Sequence, residues 1–430
     1  MKSGKLGKLF LNDYIFSVFV KAMMILVGVL HSAFLARFLG AELKGVAATV
    51  TSSVALFQVI ITCGIHQAYP YFKKQGETEN FLSVFINNIY FIYSLLFMVV
   101  ISLVCIFHNT LPEKILFIII LTPLFAYETI VSYVYLIEKP KKKNLWSLIS
   151  TFSETVIILI FLVMCKPNNL YMIIAISASV AIRAMSSTVG LKVTVDLKLI
   201  SLKFIVKMFR FGIMPMVALV LTIMNSKIDI LMMDMNESIT SAAIGLYSVG
   251  IGVADKILAI PDAVREILLS KLVSGKNEQE VARVTRISVF LCSAMAMVFL
   301  IFGKSIIKLL YGAEFIGAYN VLVISSFGTV FMVFLKMISQ YNIVNKRQLA
   351  NLLMLSISVV TNIALNLLLI PHLGIEGASI ASFAGHFVCG ICFALYFRKK
   401  SGTSFRDIVL LKKEDLSFLK FITKLGNMKK

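Results

Sequence analysis

Twelve stretches of this chain are each 16 to 27 residues long and predominantly apolar: 14–36, 45–68, 81–107, 115–137, 145–165, 170–190, 211–234, 240–265, 287–302, 319–338, 349–370 and 378–397. A membrane-crossing helix needs about 20 such residues. The spacing therefore predicts an all-α polytopic membrane protein with twelve transmembrane helices. Composition agrees. Apolar residues make up 59% of the 430 positions and charged residues only 15%, with a mean hydropathy of +0.90. A soluble domain is nearer half apolar and a quarter charged.

The breaks between stretches carry turn and charge signals, and their Lys and Arg residues set the orientation. With the N-terminus inside, 31 of the 42 basic residues fall in inside segments and six in outside loops. Both termini are thus expected in the cytoplasm. The formal charge of +20 becomes a property of the cytoplasmic face, attracted to anionic lipid. No nucleic-acid partner is needed to explain it. The apolar run after Lys2, Lys5 and Lys8 is interrupted by Lys21 and is long enough to stay attached as the first crossing.

Residues 191–210 place Lys203, Lys207 and Arg210 on one helical face and Ile205 and Phe209 on another. They read as a basic amphipathic helix on the inner leaflet. The expected organisation is an N-lobe of six crossings over 1–190, this linker over 191–210, a C-lobe of six over 211–400, and a basic amphipathic tail over 401–430. Two six-helix lobes around a central cavity suit a transporter.

Enzyme signatures are absent. No outside loop exceeds about 17 residues, which leaves no room for an external catalytic domain. Gly303-Lys304-Ser305 lacks the upstream glycine of a phosphate loop, and no HExxH occurs. The six cysteines sit in or beside apolar stretches, where thiols behave as small hydrophobes. Cys389 and Cys392 have metal or redox spacing but no second pair. No metal, cofactor or catalytic residue is expected.

The informative residues are polar ones inside crossings, which are costly in hydrocarbon and commonly face a cavity or another helix. Ser17, Lys21, Gly28 and Ser32 form a stripe on the first crossing, and Thr51, Gln58, Thr62 and His66 one on the second. Glu128, Glu154 and Arg183 occupy crossings four to six. Asn225 and Asp229 are on the seventh, Asp255 and Lys256 on the eighth, Lys336 on the tenth, and Ser358 and Asn362 on the eleventh. Together they describe a hydrated cavity; singly, each also fits an interhelical hydrogen bond. Lys21, Arg183, Lys256 and Lys336 all lie in the cytoplasmic half, where they would attract an anion. Lys21 and Lys336 are also shallow enough to reach the interface. The candidate substrate-binding set is Lys21, His66, Arg183, Asp229, Lys256 and Lys336.

Glu128 and Glu154 are equidistant from the turn over 138–144. In an antiparallel hairpin they share a depth, roughly 15–20 Å from that turn. Two adjacent carboxylates resist joint ionisation, so one would hold a proton or share a cation. They are the candidates for coupling to a proton or sodium gradient. Alternatively, Arg183 on the next helix neutralises one of them as a buried ion pair.

Four stretches carry a family resemblance: Leu35 to Gly45 (LARFLGAELKG), Gly245 to Ile257 (GLYSVGIGVADKI), Leu309 to Leu322 (LLYGAEFIGAYNVL) and Asn366 to Ser382 (NLLLIPHLGIEGASIAS). In this order, among twelve crossings, they resemble the polysaccharide-biosynthesis flippases of the multidrug/oligosaccharidyl-lipid/polysaccharide (MOP) exporter superfamily. The resemblance implies alternating access and a polyprenyl-pyrophosphate-linked oligosaccharide, of O-antigen or capsule type, moved to the outer leaflet. A polysaccharide polymerase and a chain-length regulator would be its partners. An ion-coupled multidrug exporter of the same superfamily is the competing expectation; it would favour acidic and aromatic cavity residues, to bind cationic drugs.

Overall fold

The structure is a computed structural model that describes residues 13–75, 80–164, 166–273 and 278–415, with side chains from residue 23 onward except at 141, 161–163, 266, 267, 269–271, 273 and 413. The described residues are helical, joined by short turns. Nine helical stretches among them are long and apolar enough to cross a membrane. Two, of 53 and 54 residues, would each run to about 80 Å if straight, far beyond a hydrocarbon core of about 30 Å. Both are broken by a glycine. In α1 (Asp13–Thr62) Gly40 takes φ 70°, ψ 175°. In the helix Gln348–Ser401 Gly374 takes φ 58°, ψ −132°. A left-handed φ suits glycine because it has no Cβ to clash. Counting each limb of these two, and adding Pro140–Met164 with its apolar run Val156–Met164, gives the twelve crossings that the sequence predicts.

The chain divides into two compact units, residues 1–245 and 246–430. The first holds the six crossings read over 1–190 together with the connector and the seventh crossing. It comprises α1, α2 (Ile65–Gln75), α3 (Phe81–Phe107), α4 (Glu113–Glu138), α5 (Pro140–Met164), α6 (Asn169–Leu191), α7 (Leu202–Asp234) and the start of α8 (Ser241–Ala254). Its core has two centres. Tyr69, Phe85, Ile89, Ile130, Val134 and Met208 fill one; Phe38, Val50, Val54, Leu121 and Met172 fill the other. Where α8 begins, α1 and α8 touch backbone to backbone. A Cβ on Gly45 would lie 1.7 Å from the Ser241 carbonyl oxygen, and one on Gly245 2.0 Å from that of Ala41.

The linker differs from expectation. Residues 191–210 are not one amphipathic helix. Lys192 is left-handed, Val193–Val195 is irregular, Asp196 is extended, and Leu197–Leu199 forms one 3-10 turn. Helix α7 begins at Leu202, capped by the Ser201 hydroxyl, and runs unbroken to Asp234. Two adjacent asparagines of α3 hold the irregular stretch. Asn87 donates to the Thr194 carbonyl and accepts from the Asp196 N–H; Asn88 donates to the Leu199 carbonyl and accepts from the Ser201 N–H. These bonds satisfy backbone groups that a helix would have paired internally. Within α7 the amphipathic reading holds: Lys203, Lys207 and Arg210 are exposed while Ile205 and Met208 are buried.

The second unit contains α9 (Ala259–Val273), α10 (Glu278–Tyr311), α11 (Tyr319–Val344), α12 (Gln348–Ser401) and α13 (Phe405–Val409). Helix α11 is its most buried element and packs against α10 and α12. After α12, the strap Gly402–Asp415 returns to α10. Arg286, 5% exposed, grips Asp415 through Nε and Nη2 at 2.5 and 2.7 Å and donates Nη1 to the Asp407 carbonyl. Of the basic amphipathic tail expected over 401–430, the part as far as Asp415 is a short helix and a clasped turn. Residues 416–430 lie outside the described residues.

Candidate functional site

The α4–α5 hairpin does what its symmetry about the 138–144 turn predicts. It sets Glu128 and Glu154 at one depth, and α6 brings Arg183 to both. Arg183 Nη1 is 2.7 Å from Glu154 Oε1, and Nε is 3.8 Å from Glu128 Oε1. Glu154 is only 3% exposed. An arginine fork offers several donors in one plane, so one guanidinium can serve two carboxylates.

A second layer lies one helical turn away, at the i+4 positions Ser132 and Ser187. Ser132 Oγ donates to Glu128 Oε1 at 2.7 Å and lies 3.0 Å from Ser187 Oγ. Lys143, from the start of α5, reaches both hydroxyls at 2.9 and 3.2 Å. The cluster holds two carboxylates, a guanidinium and an ammonium, and so balances in charge. In a low-dielectric setting each charge depends on the others, and removing one leaves another uncompensated.

Beside it is a cavity of about 130 Å³, lined by His31, Glu154, Ser179 and Arg183 together with apolar side chains of α1, α4, α5 and α6. At about 30 Å³ per molecule this is room for a few waters. His31 Nδ1 has no hydrogen-bond partner among the described residues. Chemically, the arrangement can exchange partners. An anion of the substrate could take Arg183 or Lys143 if a carboxylate were neutralised, and water could reach Glu154 through the cavity.

Lys21 lies in α1, but its side chain is outside the described ones. His66 is buried edge-on against Tyr133, ring centroids 5.1 Å apart. Asp229 is buried on α7 beside the equally buried Asn225. Lys256 is exposed, in the 3-10 turn Asp255–Leu258 of the second unit. Lys336 is paired with Asp262, its Nζ 2.8 and 3.0 Å from the two carboxylate oxygens. Ser358 and Asn362 are buried between the two limbs of α12, bonded to the Gly385 carbonyl and to Ser382 Oγ. For these two the interhelical hydrogen bond, not a hydrated cavity, is what the structure shows. Reading the sequence missed His31, Lys143, Ser187 and Asp262. Only Ser187 has a signal, its i+4 spacing from Arg183; Lys143 stands in the lysine-rich turn over 138–144 with nothing to set it apart from its neighbours.

With this geometry in place, comparison with known proteins is informative. No curated protein sequence matches the chain. Among solved structures it is similar to an inward-facing multidrug resistance MATE family transporter of the MOP superfamily, with a TM-score of 0.67 and 12% identity over 90% of this chain and 98% of that one. It is equally similar to the lipid II flippase MurJ in an inward closed conformation, with a TM-score of 0.67 and 16% identity over 95% and 93%. A MOP superfamily transporter from Pyrococcus furiosus gives a TM-score of 0.56 at 13% identity over 91% and 96%. At such identities the likeness is one of fold, and the fold is that of MOP transporters. The family described as polysaccharide biosynthesis protein matches residues 10–260. On that match, which spans more than half of the sequence, this chain belongs to the polysaccharide biosynthesis protein family.

Proposed function

We propose that this protein is a flippase. It carries polyprenyl-pyrophosphate-linked oligosaccharide repeat units from the cytoplasmic to the outer leaflet of a bacterial inner membrane, with both termini cytoplasmic. One observation carries the reading: a polysaccharide biosynthesis chain is built as a MOP transporter fold. A glycan assembled on a lipid inside the cell must cross hydrocarbon that excludes sugar hydroxyls and pyrophosphate charge. A helical path with intramembrane cations removes that barrier.

Within the first unit, Arg183 and Lys143 supply the cations. Charge-assisted hydrogen bonds to pyrophosphate oxygens are stronger than neutral ones, and a guanidinium binds them two at a time. Glu128 and Glu154 hold both cations while the site is empty and take up a proton or sodium ion when the anion displaces them. An ion gradient, or consumption of the glycan outside by a polymerase with its chain-length regulator, would then drive the cycle. A multidrug exporter would need carboxylates available for a cationic drug, yet Arg183 engages both glutamates.

The test is substrate choice in proteoliposomes. Lipid-linked oligosaccharide should flip, and cationic dyes should not be moved down or against a proton gradient. Dye transport without glycan flipping would sink the proposal.

A further inference from the structure

On the first unit, away from the charged cluster, lies a groove of about 500 Å³ between α3, α4 and α6. Tyr90, Tyr93 and Phe97 of α3, Tyr127 of α4, Thr188 of α6 and Val195 of the connector line it. Its surroundings are exposed and apolar: Leu95, Met98 and Val99 on α3, and Met185 and Val189 on α6. An apolar surface of this extent marks contact with another apolar phase. In a membrane-crossing chain that phase is lipid. The volume is that of a small-molecule site, far beyond the few waters of the cavity at His31.

Polarity is graded along the groove. At the connector end, Lys192 and Lys198 are exposed and flank the lining valines 193 and 195 in sequence. Asn87 and Asn88 fix this stretch against α3. Next come hydroxyls. Tyr127 and Thr188, both in the groove lining, have their oxygens 2.9 Å apart, while the Tyr93 hydroxyl is buried in the core behind them. Phe97 is two turns past Tyr90, a rise of about 10 Å, and past Ser94 its ring forms the lining at that end. Cation, then hydroxyl donors, then hydrocarbon is the order of a phospholipid's complements: phosphate, ester carbonyls, acyl chain. An isoprenoid phosphate has no ester carbonyls to meet the hydroxyls.

We propose that the groove is a binding site for one anionic phospholipid, its phosphate at Lys192 and Lys198, its ester carbonyls facing the Tyr127 and Thr188 hydroxyls and one acyl chain along Phe97. The site requires membrane insertion but not the flippase activity.

The test uses the full-length protein and its single tryptophan, Trp146. Trp146→Phe with Phe97→Trp moves that reporter to the floor of the groove. In vesicles containing phosphatidylglycerol or phosphatidylcholine brominated on the acyl chains, Trp quenching should saturate at lower mole fraction for phosphatidylglycerol. The expected preference is about fivefold, falling toward parity when Lys192→Ala and Lys198→Ala are added. Equal quenching by both lipids, indifferent to the lysines, would mean ordinary bilayer contact and overturn the site. Recovery of fluorescence by unbrominated polyprenyl phosphate at lower mole fraction than by phosphatidylglycerol would overturn the choice of occupant. Native mass spectrometry of the unaltered protein reads the same site without the reporter. Retained phosphatidylglycerol that the two lysine changes remove is expected; equal retention contradicts it.

Discussion

Arg183 is the residue on which the first unit's buried charge turns. Its replacement by Ala leaves Glu128 and Glu154 facing each other without a cation, a loss of about 3–5 kcal/mol for a buried pair. Adding Glu154→Gln should restore a good part of that loss, because the double variant removes both ends of the 2.7 Å contact. Melting temperatures of the two singles and the double measure this coupling; strictly additive effects would show that the pair is not one unit. Glu128 and Glu154 could be paired from the sequence alone, since symmetry about a turn fixes depth in a hairpin. Lys143 could not. Its side chain spans the distance from the helix start to Ser132 and Ser187, and a basic run near a membrane face hides such reach. The Lys336–Asp262 pair was equally hidden, for its partners are 74 positions apart and nothing in either local pattern points to the other.

At the scale of elements, glycine and clasp contacts decide how helices meet. Gly245→Val would drive a side chain into the Ala41 carbonyl. It should lower stability by about 1–3 kcal/mol or more, whereas the same change at Gly252, with open space around it, should cost far less. Thermal melting of the two variants checks this contrast. The break at Gly40 was legible because glycine, a short polar turn and the end of an apolar run coincide there. The connector was not legible: its basic periodicity is real, but Asn87 and Asn88 take the backbone groups of residues 194–201 that a continuous helix would pair internally, and those partners are more than 100 positions away.

The strap after α12 gives a prediction with pH. Burial alone would push the Asp415 carboxyl up. The Arg286 hydrogen bonds, the Lys412 backbone N–H and the charges of Arg286 and Arg283 outweigh it and hold the group below its usual range. A folded pKa below the unfolded one means that the clasp contributes fully above the ordinary aspartate value of about 3.9 and is lost as pH falls below it. Hydrogen-exchange protection over 405–415 should therefore be constant from pH 7 to 5 and decline below about pH 4. Asp415→Asn should show low protection throughout. Full protection in that variant would contradict the clasp.

For the whole molecule, the run of twelve apolar stretches and the order of four glycine-bearing motifs led to the fold and the family without any structure. What they could not supply is which polar residues are used, since a hydrogen bond between helices and a cavity wall need the same residue types at the same spacing. Single cysteines at 195 and 404 should be labelled only from the cytoplasmic side of sealed vesicles; labelling from outside would reverse the proposed orientation. The most direct measurement of the account is the flipping rate itself. In proteoliposomes carrying a defined polyprenyl-pyrophosphate-linked oligosaccharide, a membrane-impermeant glycosidase reports how much glycan reaches the outer leaflet. Wild-type protein should expose the inner pool at a rate well above that of protein-free vesicles. Properly inserted Arg183→Lys, which keeps the charge but loses the fork, should be slowed about tenfold or more, the cost of about one charge-assisted bond. A wild-type rate equal to that of protein-free vesicles would contradict the central claim.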